Sequence, residues 1–372
     1  RANLAQREVG ILTRWEEQDL YGQIRREFAG RPRYVLHDGP PYANGNIHLG
    51  HALNHVLKDI VIKSRSLSGF DAPYIPGWDC HGLPIEHQVE RKLGKAGEKL
   101  DASEFRNACR DFALAQVEGQ REDLKRLGAL ADWENPYLTM DPRYEAEQLR
   151  AFAKLFSEGN VYRGLKPVHW CTDCRSALAE AEVEYEEKDS SAIDVRFEVP
   201  GKKVFLEQMG LDPELSDEDR LSVPIWTTTP WTLPGNQAVA LNELLSYSLV
   251  RTDVGEGDEC LLIASKMLND VLARYGAKKW RVLGVAKGSA LEGLGLCHPF
   301  YERNVPIVLG EHVTTETGTG AVHTAPGHGH EDFALGLKYG LPAESPVNGE
   351  GKYVAGTPLV EGLHVGSATD HI

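Results

Sequence analysis

The chain has 372 residues, of which 41% are hydrophobic, and its 55 acidic and 40 basic side chains give a formal net charge of -15. These values predict about two globular domains and exclude collagen-like, low-complexity and wholly disordered chains. No apolar stretch is long enough to cross a membrane, so no membrane partner is expected. The acidic balance disfavours a nucleic-acid partner, because clustered Lys and Arg usually supply that affinity.

Six cysteines in this length are too few for a disulfide scaffold, so a reducing cytoplasm is the simplest expected location. The chain begins Arg1-Ala2-Asn3, without Met or a signal-peptide core, and ends at His371-Ile372 without a terminating element. We therefore expect a piece of a larger protein.

In chain order, the apolar run at residues 33–37 predicts a short buried strand, and a turn-rich run follows at residues 38–46. A helix is expected next, because apolar residues recur at helical spacing at Leu53, Val56, Leu57, Ile60 and Val61. Gly69 suits the cap of that helix, and residues 72–75 predict a second strand. Strand, Gly-rich turn, helix and strand indicate a βαβ unit of a parallel sheet.

Two further helices are expected. Asp101 and Glu104 have capping-box spacing, ahead of an apolar face formed by Phe105, Ala108, Cys109 and Phe112. Asp141 and Pro142 begin the next helix, which Gly159 ends and whose apolar face includes Leu149, Phe152, Leu155 and Phe156.

The pattern changes near residue 180, where four Glu alternate with apolar residues over 180–186 and predict a half-exposed strand. Further strands are expected at residues 193–199, 223–229, 238–241, 261–264 and 305–309. The acidic stretch at residues 212–220 is expected to be a solvated insertion. A mostly β second domain is therefore expected over residues 186–372, after a first domain over residues 1–185.

Two histidines three residues apart, His48 and His51, lie where the first of these helices is expected to begin. A helix N-terminus offers free N–H groups and partial positive charge, which suit a phosphate, and Gly50 lets a flat ring approach the backbone. These features favour a nucleotide site. The alternative is a pair of surface or capping histidines.

The run His-Asp-Gly-Pro-Pro-Tyr-Ala-Asn-Gly from His37, followed by His-Leu-Gly-His, resembles the signature of class I aminoacyl-tRNA synthetases. The resemblance implies an α/β, Rossmann-like parallel-sheet catalytic domain, of which this chain would hold the N-terminal half. It also implies ATP with Mg²⁺ as cofactor. His48 and His51 would stabilise the ATP phosphates during attack by the amino-acid carboxylate, and Asn44 and Gly50 would also contact ATP.

The run Pro-Gly-Trp-Asp-Cys-His-Gly-Leu-Pro-Ile-Glu from Pro76 resembles bacterial isoleucyl-tRNA synthetases. This resemblance implies that Gly39, Pro40 and Asp79 line an isoleucine site, where the Asp79 carboxylate would be the charge-assisted partner of the α-ammonium. The second ATP-binding signature of the family, a Lys-Met-Ser-Lys-Ser-like loop, does not occur in this sequence. The isolated chain is therefore expected to form aminoacyl-adenylate poorly.

Cys171 and Cys174 have the spacing of half a tetrahedral zinc site. In similar synthetases a second Cys pair, where present, lies beyond the inserted domain, and here Cys260 and Cys297 are single. A bound Zn²⁺ and a reduced, metal-free pair both stay open at this point.

A threonine-rich run, Thr227 to Asn236, contains two prolines and lies at a predicted strand end. Threonines often only decorate a strand, but the prolines predict a rigid loop whose hydroxyls orient a water and grip a ribose. A second run, residues 318–333, is rich in Gly and His and contains His323 and Asp332. Its glycines favour close approach of the backbone to a ligand over a metal site.

Both runs resemble the inserted editing domain of isoleucyl-tRNA synthetases, which hydrolyses valine wrongly attached to the tRNA. By this resemblance Asp332 would bind the α-ammonium of the aminoacyl group, and Thr228 and Thr229 would act in catalysis. The rest of the pocket would be formed by Thr227, Thr232, Asn236 and His323. A second site is needed because one methylene changes binding by only about 1–3 kcal/mol, isoleucine against valine being the standard example.

The resemblance implies isoleucine, ATP and the tRNA for isoleucine as partners, and a monomer. The acidic balance then no longer counts against RNA, because much of the tRNA-binding charge would lie outside this chain. Three alternatives remain: a valyl- or leucyl-type synthetase, a free-standing deacylase acting in trans, and a zinc-ribbon nucleic-acid binder. The intact His-x-Gly-His region disfavours the second, and only Cys171 and Cys174 favour the third.

Overall fold

The computed structural model describes residues 3–211, 220–254 and 258–372, and the chain divides into two compact units, Arg1–Tyr162 and Arg163–Ile372. The predicted acidic insertion lies outside the described residues except for Arg220. The predicted domain boundary at residue 186 falls within the second unit, and the two-domain assignment stays a prediction.

The first unit is mainly helical over its described residues. Its regular elements are α1 (Leu4–Glu17), α2 (Leu20–Phe28), α3 (Leu49–Leu67), β1 (Gly77–Trp78), α4 (Leu83–Leu93), α5 (Ala102–Arg126), β2 (Tyr137–Leu138) and α6 (Pro142–Ser157). Strands β1 and β2 pair in parallel, with Gly77 opposite Tyr137. One apolar core of this unit surrounds the buried Trp78 and includes Ile85, Val117 and Leu124.

The predicted βαβ unit forms around α3 with less regular strand than expected. Arg33 pairs with Asp71 in a parallel bridge, and Tyr42 pairs with Asp79 in a second one. Residues 33–37 and 72–75 are otherwise extended chain rather than strands. The prediction of two regular strands is therefore wrong, because Arg33 is the one residue of these two segments that forms a bridge within the described part of the chain.

The predicted helix ends are confirmed by their caps. Asp101 accepts from the backbone N–H of Ser103 at 2.7 Å and of Glu104 at 2.8 Å, and Glu104 accepts from the Asp101 N–H at 2.9 Å. Gly69 and Gly159 follow α3 and α6 with φ of 93° and 78°, a conformation in which residues with a Cβ are strained.

The apolar faces that predict α3 and α6 are exposed rather than buried. On α3, Leu53, Leu57 and Ile60 are all more than half exposed, and the helix buries His55 and Ile62 instead. On α6 the predicted face is Leu149, Phe152, Leu155 and Phe156, and no residue of that helix is buried. The periodicity thus identifies both helices, although the apolar side chains of these faces are about half exposed or more.

The second unit contains a hairpin, two sheets and four helices among its described residues. Its elements are β3 (Trp170–Cys171), β4 (Ser176–Ala177), β5 (Ile193–Glu198), α7 (Lys202–Gln208), β6 (Arg220–Thr227), β7 (Ala238–Leu241), β8 (Ser246–Thr252), β9 (Glu259–Ala264), α8 (Leu268–Arg274), β10 (Trp280–Lys287), β11 (Gly295–Cys297), β12 (Asn304–Leu309), β13 (Val322–Thr324), α9 (His330–Tyr339) and α10 (Val365–Ala368). One sheet has the order β10-β8-β9-β6-β5, and the other has the order β11-β12-β7-β13. A large apolar core includes Phe197, Ile225 and Leu261.

Five of the predicted strands of the second unit are confirmed as β5, β6, β7, β9 and β12. The strand predicted at residues 180–186 is wrong: a single 3-10 turn, Glu180–Glu182, begins there, and Tyr185 is 85% exposed. Alternation on its own does not make a strand when no described neighbour pairs with it. No described helix has the length and apolarity needed to span a bilayer.

Candidate functional site

The two histidines of the His-x-Gly-His motif lie together at the start of α3. The Nδ1 atom of His48 accepts from the N–H groups of Gly50 at 3.1 Å and His51 at 3.4 Å, and His51 Nδ1 accepts from the His48 N–H at 3.3 Å. The two rings stack with centroids 3.8 Å apart. Both side chains therefore cap the helix, which is the alternative interpretation of this motif, and His48 also remains exposed to solvent.

The space beside Gly50 is occupied by the His48 ring and is not open to a ligand. A Cβ at Gly50 would lie 3.0 Å from Cε1 and 3.1 Å from Nδ1 of His48. Burial and the neighbouring His48 and Lys58 lower the pKa of His51 from its ordinary value. His51 is therefore neutral at physiological pH, while the N-terminus of α3 carries the partial positive charge.

The turn before the motif is held by α3. Lys58 forms an ion pair with the buried Asp38, and its Nζ donates to the Gly39 carbonyl at 2.9 Å. The Gly77 N–H donates to Asp38 at 3.3 Å. Lys58 and Asp38 are not among the predicted site residues, yet they fix the position of Gly39.

Asp79 lies beside the same turn. Its N–H donates to the Pro41 carbonyl at 2.9 Å, and the Ala43 N–H donates to its carbonyl at 2.8 Å. The Asp79 carboxylate accepts from Thr139 Oγ1 at 3.4 Å and is partly exposed. The structure thus brings Asp79 next to the Gly39-Pro40 turn and leaves its carboxylate reachable.

Gln120 of α5 ties these segments together, although it belongs to none of the sequence motifs. Its amide nitrogen donates to the carbonyls of Tyr42 at 3.0 Å and Gly45 at 2.8 Å, and its oxygen accepts from Trp78 Nε1 at 3.0 Å. It is only 1% exposed. The turn that contains Asn44 is therefore anchored at both ends to the segment preceding Asp79.

The threonine-rich loop of the second unit follows β6. Thr228 and Thr229 are exposed, whereas Thr227, Thr232 and Asn236 are buried. The Thr227 hydroxyl accepts from the Thr229 N–H at 3.0 Å and lies 3.2 Å from its hydroxyl oxygen. A 3-10 turn, Pro230–Gly235, follows, so the rigid loop expected from the prolines is present.

His323 on β13 joins the two predicted runs. Its Nε2 lies 2.9 Å from Thr232 Oγ1, and its Nδ1 lies 3.5 Å from Asn236 Nδ2. An amide nitrogen only donates, so Nδ1 accepts and Nε2 carries the proton. Burial lowers the pKa of His323 to about 4. His323 is therefore neutral and has both ring nitrogens engaged, which suits a structural part rather than a base.

Asp332 lies in the first turn of α9. One of its carboxylate oxygens accepts from the Ala325 N–H at 2.8 Å, one residue beyond β13. Burial raises the pKa of this carboxyl above its ordinary value, while the Ala325 N–H partly opposes the shift. The charged form is therefore penalised by lost solvation, and a nearby cation would stabilise it.

Two glycines of the second run are explained by packing within the fold, and the expectation that the run's glycines admit a ligand stays a prediction for the other two. A Cβ at Gly320 would lie 2.2 Å from that of Ala264, and one at Gly327 would lie 2.7 Å from the Glu344 carbonyl oxygen. A Cβ at Gly318 or Gly329 would make only ordinary contacts, with Trp226 at 3.4 Å and Asp332 at 3.7 Å.

Cys171 and Cys174 lie at the hairpin of β3 and β4, where the Cys174 N–H donates to Cys171 Sγ at 3.3 Å. This contact is the main cause of the lowered pKa of Cys171. Two thiolates fit half of a zinc site. Within the described part of the chain, no group of three or more Cys, His, Asp or Glu side chains is arranged to hold a metal ion.

The sequence of residues 10–343 matches the family described as tRNA synthetases class I (I, L, M and V). The chain belongs to the class I tRNA synthetases. This membership confirms the expected Rossmann-like α/β fold class of the resemblance.

Three relatives narrow the similarity from the family to one amino-acid specificity. Isoleucine–tRNA ligases of Alkalilimnicola ehrlichii and Nitrosococcus oceani are each 58% identical to this chain over 372 residues, and that of Idiomarina loihiensis is 54% identical over 374 residues. Each alignment covers 100% of this chain. The chain spans 39% of the length of the first two relatives and 40% of the third. The predicted resemblance to the isoleucyl branch is confirmed.

Proposed function

We propose that this chain contributes the first half of an ATP and isoleucine site, together with an editing pocket, to isoleucine–tRNA ligation in the cytoplasm. Its whole-chain identity of 54–58% to isoleucine–tRNA ligases carries the proposal. The partners are isoleucine, ATP with Mg²⁺ and the tRNA for isoleucine, and the chain acts as a monomer. The alternatives of a valyl- or leucyl-type synthetase and a deacylase acting in trans lack comparable support.

In the first unit, the Asp79 carboxylate binds the α-ammonium of isoleucine beside the turn of Gly39 and Pro40. The N-terminus of α3, with His48, His51 and Gly50, faces the ATP phosphates, and Asn44 contacts the nucleotide. The partly exposed carboxylate of Asp79 and the exposed His48 support these roles. Binding here is positioning and electrostatics, and the missing second signature makes adenylate formation by this chain slow.

In the second unit, Asp332 binds the α-ammonium of valine esterified to the tRNA. The raised pKa of this partly buried carboxyl supports the role, because a bound cation restores the charge stabilisation that water no longer supplies. The exposed hydroxyls of Thr228 and Thr229 orient the water. The water oxygen bonds to the ester carbonyl carbon, the ester C–O bond breaks, and the ribose oxygen leaves with a proton.

Hydrolysis of valyl-tRNA that bears the isoleucine anticodon tests the editing function. The purified chain should release valine above the spontaneous rate and spare isoleucyl-tRNA, because the second pocket accepts the smaller side chain. Asp332→Ala should abolish release or relax the discrimination. Glu331→Ala is the matched control, since the exposed Glu331 is its neighbour on α9.

Valine release at the spontaneous rate by folded chain would overturn the editing proposal. Unchanged kinetics in Asp332→Ala would remove Asp332 from the pocket while leaving the activity assigned. Binding of isoleucine, measured by calorimetry with Asp79→Asn as the comparison, tests the first unit separately.

A further inference from the structure

We propose that Arg303 is a positioning residue that holds the threonine-rich loop in its active geometry; the inference rests on the proposed editing function. Arg303 lies at the turn between β11 and β12. Its Nη2 donates to the carbonyl of Asn236 at 2.6 Å and to that of Pro234 at 3.2 Å. Neither the threonine pattern nor the Gly- and His-rich run includes this residue.

The loop needs such a donor because of its own sequence. Pro230 and Pro234 have no N–H, and their fixed φ keeps the 3-10 turn from continuing into a regular ladder. The Leu233 carbonyl accepts from the Asn236 N–H at 2.9 Å within the loop, whereas the carbonyls of Pro234 and Asn236 take their donor from elsewhere. His298 Nε2 lies 3.1 Å from the Leu233 carbonyl, and Arg303 serves the other two.

Strand register explains why Arg303 reaches this place. Strands β12 and β7 are parallel, and Ile307 pairs with Val239. Counting back three residues on each strand sets residue 304 beside residue 236, so the residue before β12 meets the end of the loop. Within the described residues Arg303 has no carboxylate partner, and both hydrogen bonds of its side chain come from Nη2 and go to the loop.

A series of contacts connects Arg303 to the exposed threonine hydroxyls of the loop. Arg303 holds the main chain of Asn236, whose side chain faces His323 Nδ1. His323 Nε2 donates to the Thr232 hydroxyl, which in turn donates to the Thr229 carbonyl at 2.9 Å. Displacing Asn236 would therefore shift Thr229, whose exposed hydroxyl lies beside Thr228. Both bonds come from one nitrogen of a planar guanidinium, whose orientation is fixed by its plane, whereas an ammonium is a point charge on a flexible stem.

The turn that carries Arg303 packs around the buried His298. His298 is 4% exposed, and its Nδ1 accepts from the N–H groups of Phe300 at 3.4 Å and Tyr301 at 3.2 Å. The Tyr301 ring stacks on His298 with centroids 4.7 Å apart, and the Arg303 guanidinium lies 5.4 Å from the centre of the Tyr301 ring. These contacts fix the turn from which Arg303 reaches the loop.

Three variants of the whole chain test the inference. Arg303→Met removes the donors, and Arg303→Lys keeps the positive charge on one donor nitrogen without the planar group. Arg274→Met removes an arginine of the same unit that pairs with Asp194 at 2.6 Å. The readouts are kcat and KM for valyl-tRNA deacylation and hydrogen exchange of the amides of residues 227–236.

Arg303→Met should lower kcat about 10-fold or more, leave KM for the tRNA within about twofold, and speed amide exchange in the loop. Arg303→Lys should lie between it and the parent chain. Arg274→Met should lose stability without either effect. This split between kcat and KM separates positioning from a general loss of stability.

Parent-like kcat or parent-like loop exchange in folded Arg303→Met would overturn the inference. If that variant does not fold, Arg303→Lys carries the same comparison, and parent-like values there have the same meaning. An inactive parent chain would count against the proposed editing function alone, because the exchange measurement still decides whether Arg303 holds the loop.

Discussion

The indole nitrogen of Trp78 donates to the side-chain oxygen of Gln120 at 3.0 Å, deep in the first unit. Gln120→Ala would remove the partner of that N–H and the Gln120 donor to the carbonyls of Tyr42 and Gly45, of which Tyr42 keeps the Asn44 N–H at 2.8 Å. We expect the free energy of unfolding to fall by about 1–3 kcal/mol, since buried polar groups that lose a partner are costly. Urea denaturation followed by tryptophan fluorescence measures this.

Gln116→Ala is the control for that change. Gln116 lies one turn away on α5, is less buried, and accepts a single bond from the Gly45 N–H at 2.9 Å. It should cost about 1 kcal/mol or less. An equal loss in both variants would show that Gln120 is not the main anchor of the turn.

His48 offers a separation of capping from ligand binding. His48→Ala should cost about 1 kcal/mol of stability, because the N–H groups of Gly50 and His51 lose their cap. His48→Asn should restore that stability, since Asn is a strong N-cap, yet it lacks an imidazole for the phosphates. Thermal unfolding and titration with ATP measure the two effects. Equal ATP affinity in His48→Asn and the parent would make His48 a cap only.

Stability should depend on pH through three histidines of the second unit. Burial lowers the pKa of His298, His323 and His328 to about 4 in the folded chain. The unfolded chain, with values near 6.5, binds these protons more readily, so the free energy of unfolding falls as pH drops from about 6.5 through about 4. Thermal unfolding between about pH 7.5 and 5 should show a falling Tm.

His328→Met identifies one contribution to that pH dependence. The Nε2 atom of His328 has no hydrogen-bond partner within the described residues, so an apolar replacement should cost little near neutral pH. The variant should lose less stability than the parent on acidification. An identical pH dependence of Tm would contradict the lowered pKa of His328.

The cysteine pair should not retain zinc in the isolated chain. Cys171 and Cys174 supply two ligands, whereas structural zinc takes four, and no described third ligand joins them. Elemental analysis after dialysis against a chelator should find far less than one zinc per chain. One zinc per chain that Cys171→Ser removes would contradict this.

Local signals in the sequence carry much of the fold. The capping box at Asp101, the glycines that end α3 and α6, and the apolar strands β7 and β9 are confirmed where they are predicted. Strands β8 and β10 are missed, because polar residues such as Ser246 and Arg251 break the apolar pattern. Pairing with neighbours, rather than local preference, decides those strands.

In the candidate sites, too, local sequence signals identify some residues, and only tertiary structure identifies the others. Motif residues such as His48, Asp79 and His323 are selected from the sequence, but the residues that hold them are not. Gln120 had a local signal: it occupies a position on the buried face of α5 with Val117 and Leu124, where an apolar residue is expected. Arg303 had none, since only the register of β12 against β7 brings it to the loop.

The bare apolar face of α3 affects how the chain behaves in solution. Copies that each present Leu53, Leu57 and Ile60 to water attract one another, and the net charge of -15 keeps them apart. Salt at 0.1 M screens that repulsion beyond about 10 Å, while it leaves the attraction between apolar surfaces in place. Concentrated solutions of this chain should therefore stay clear at low ionic strength and become turbid as salt is added.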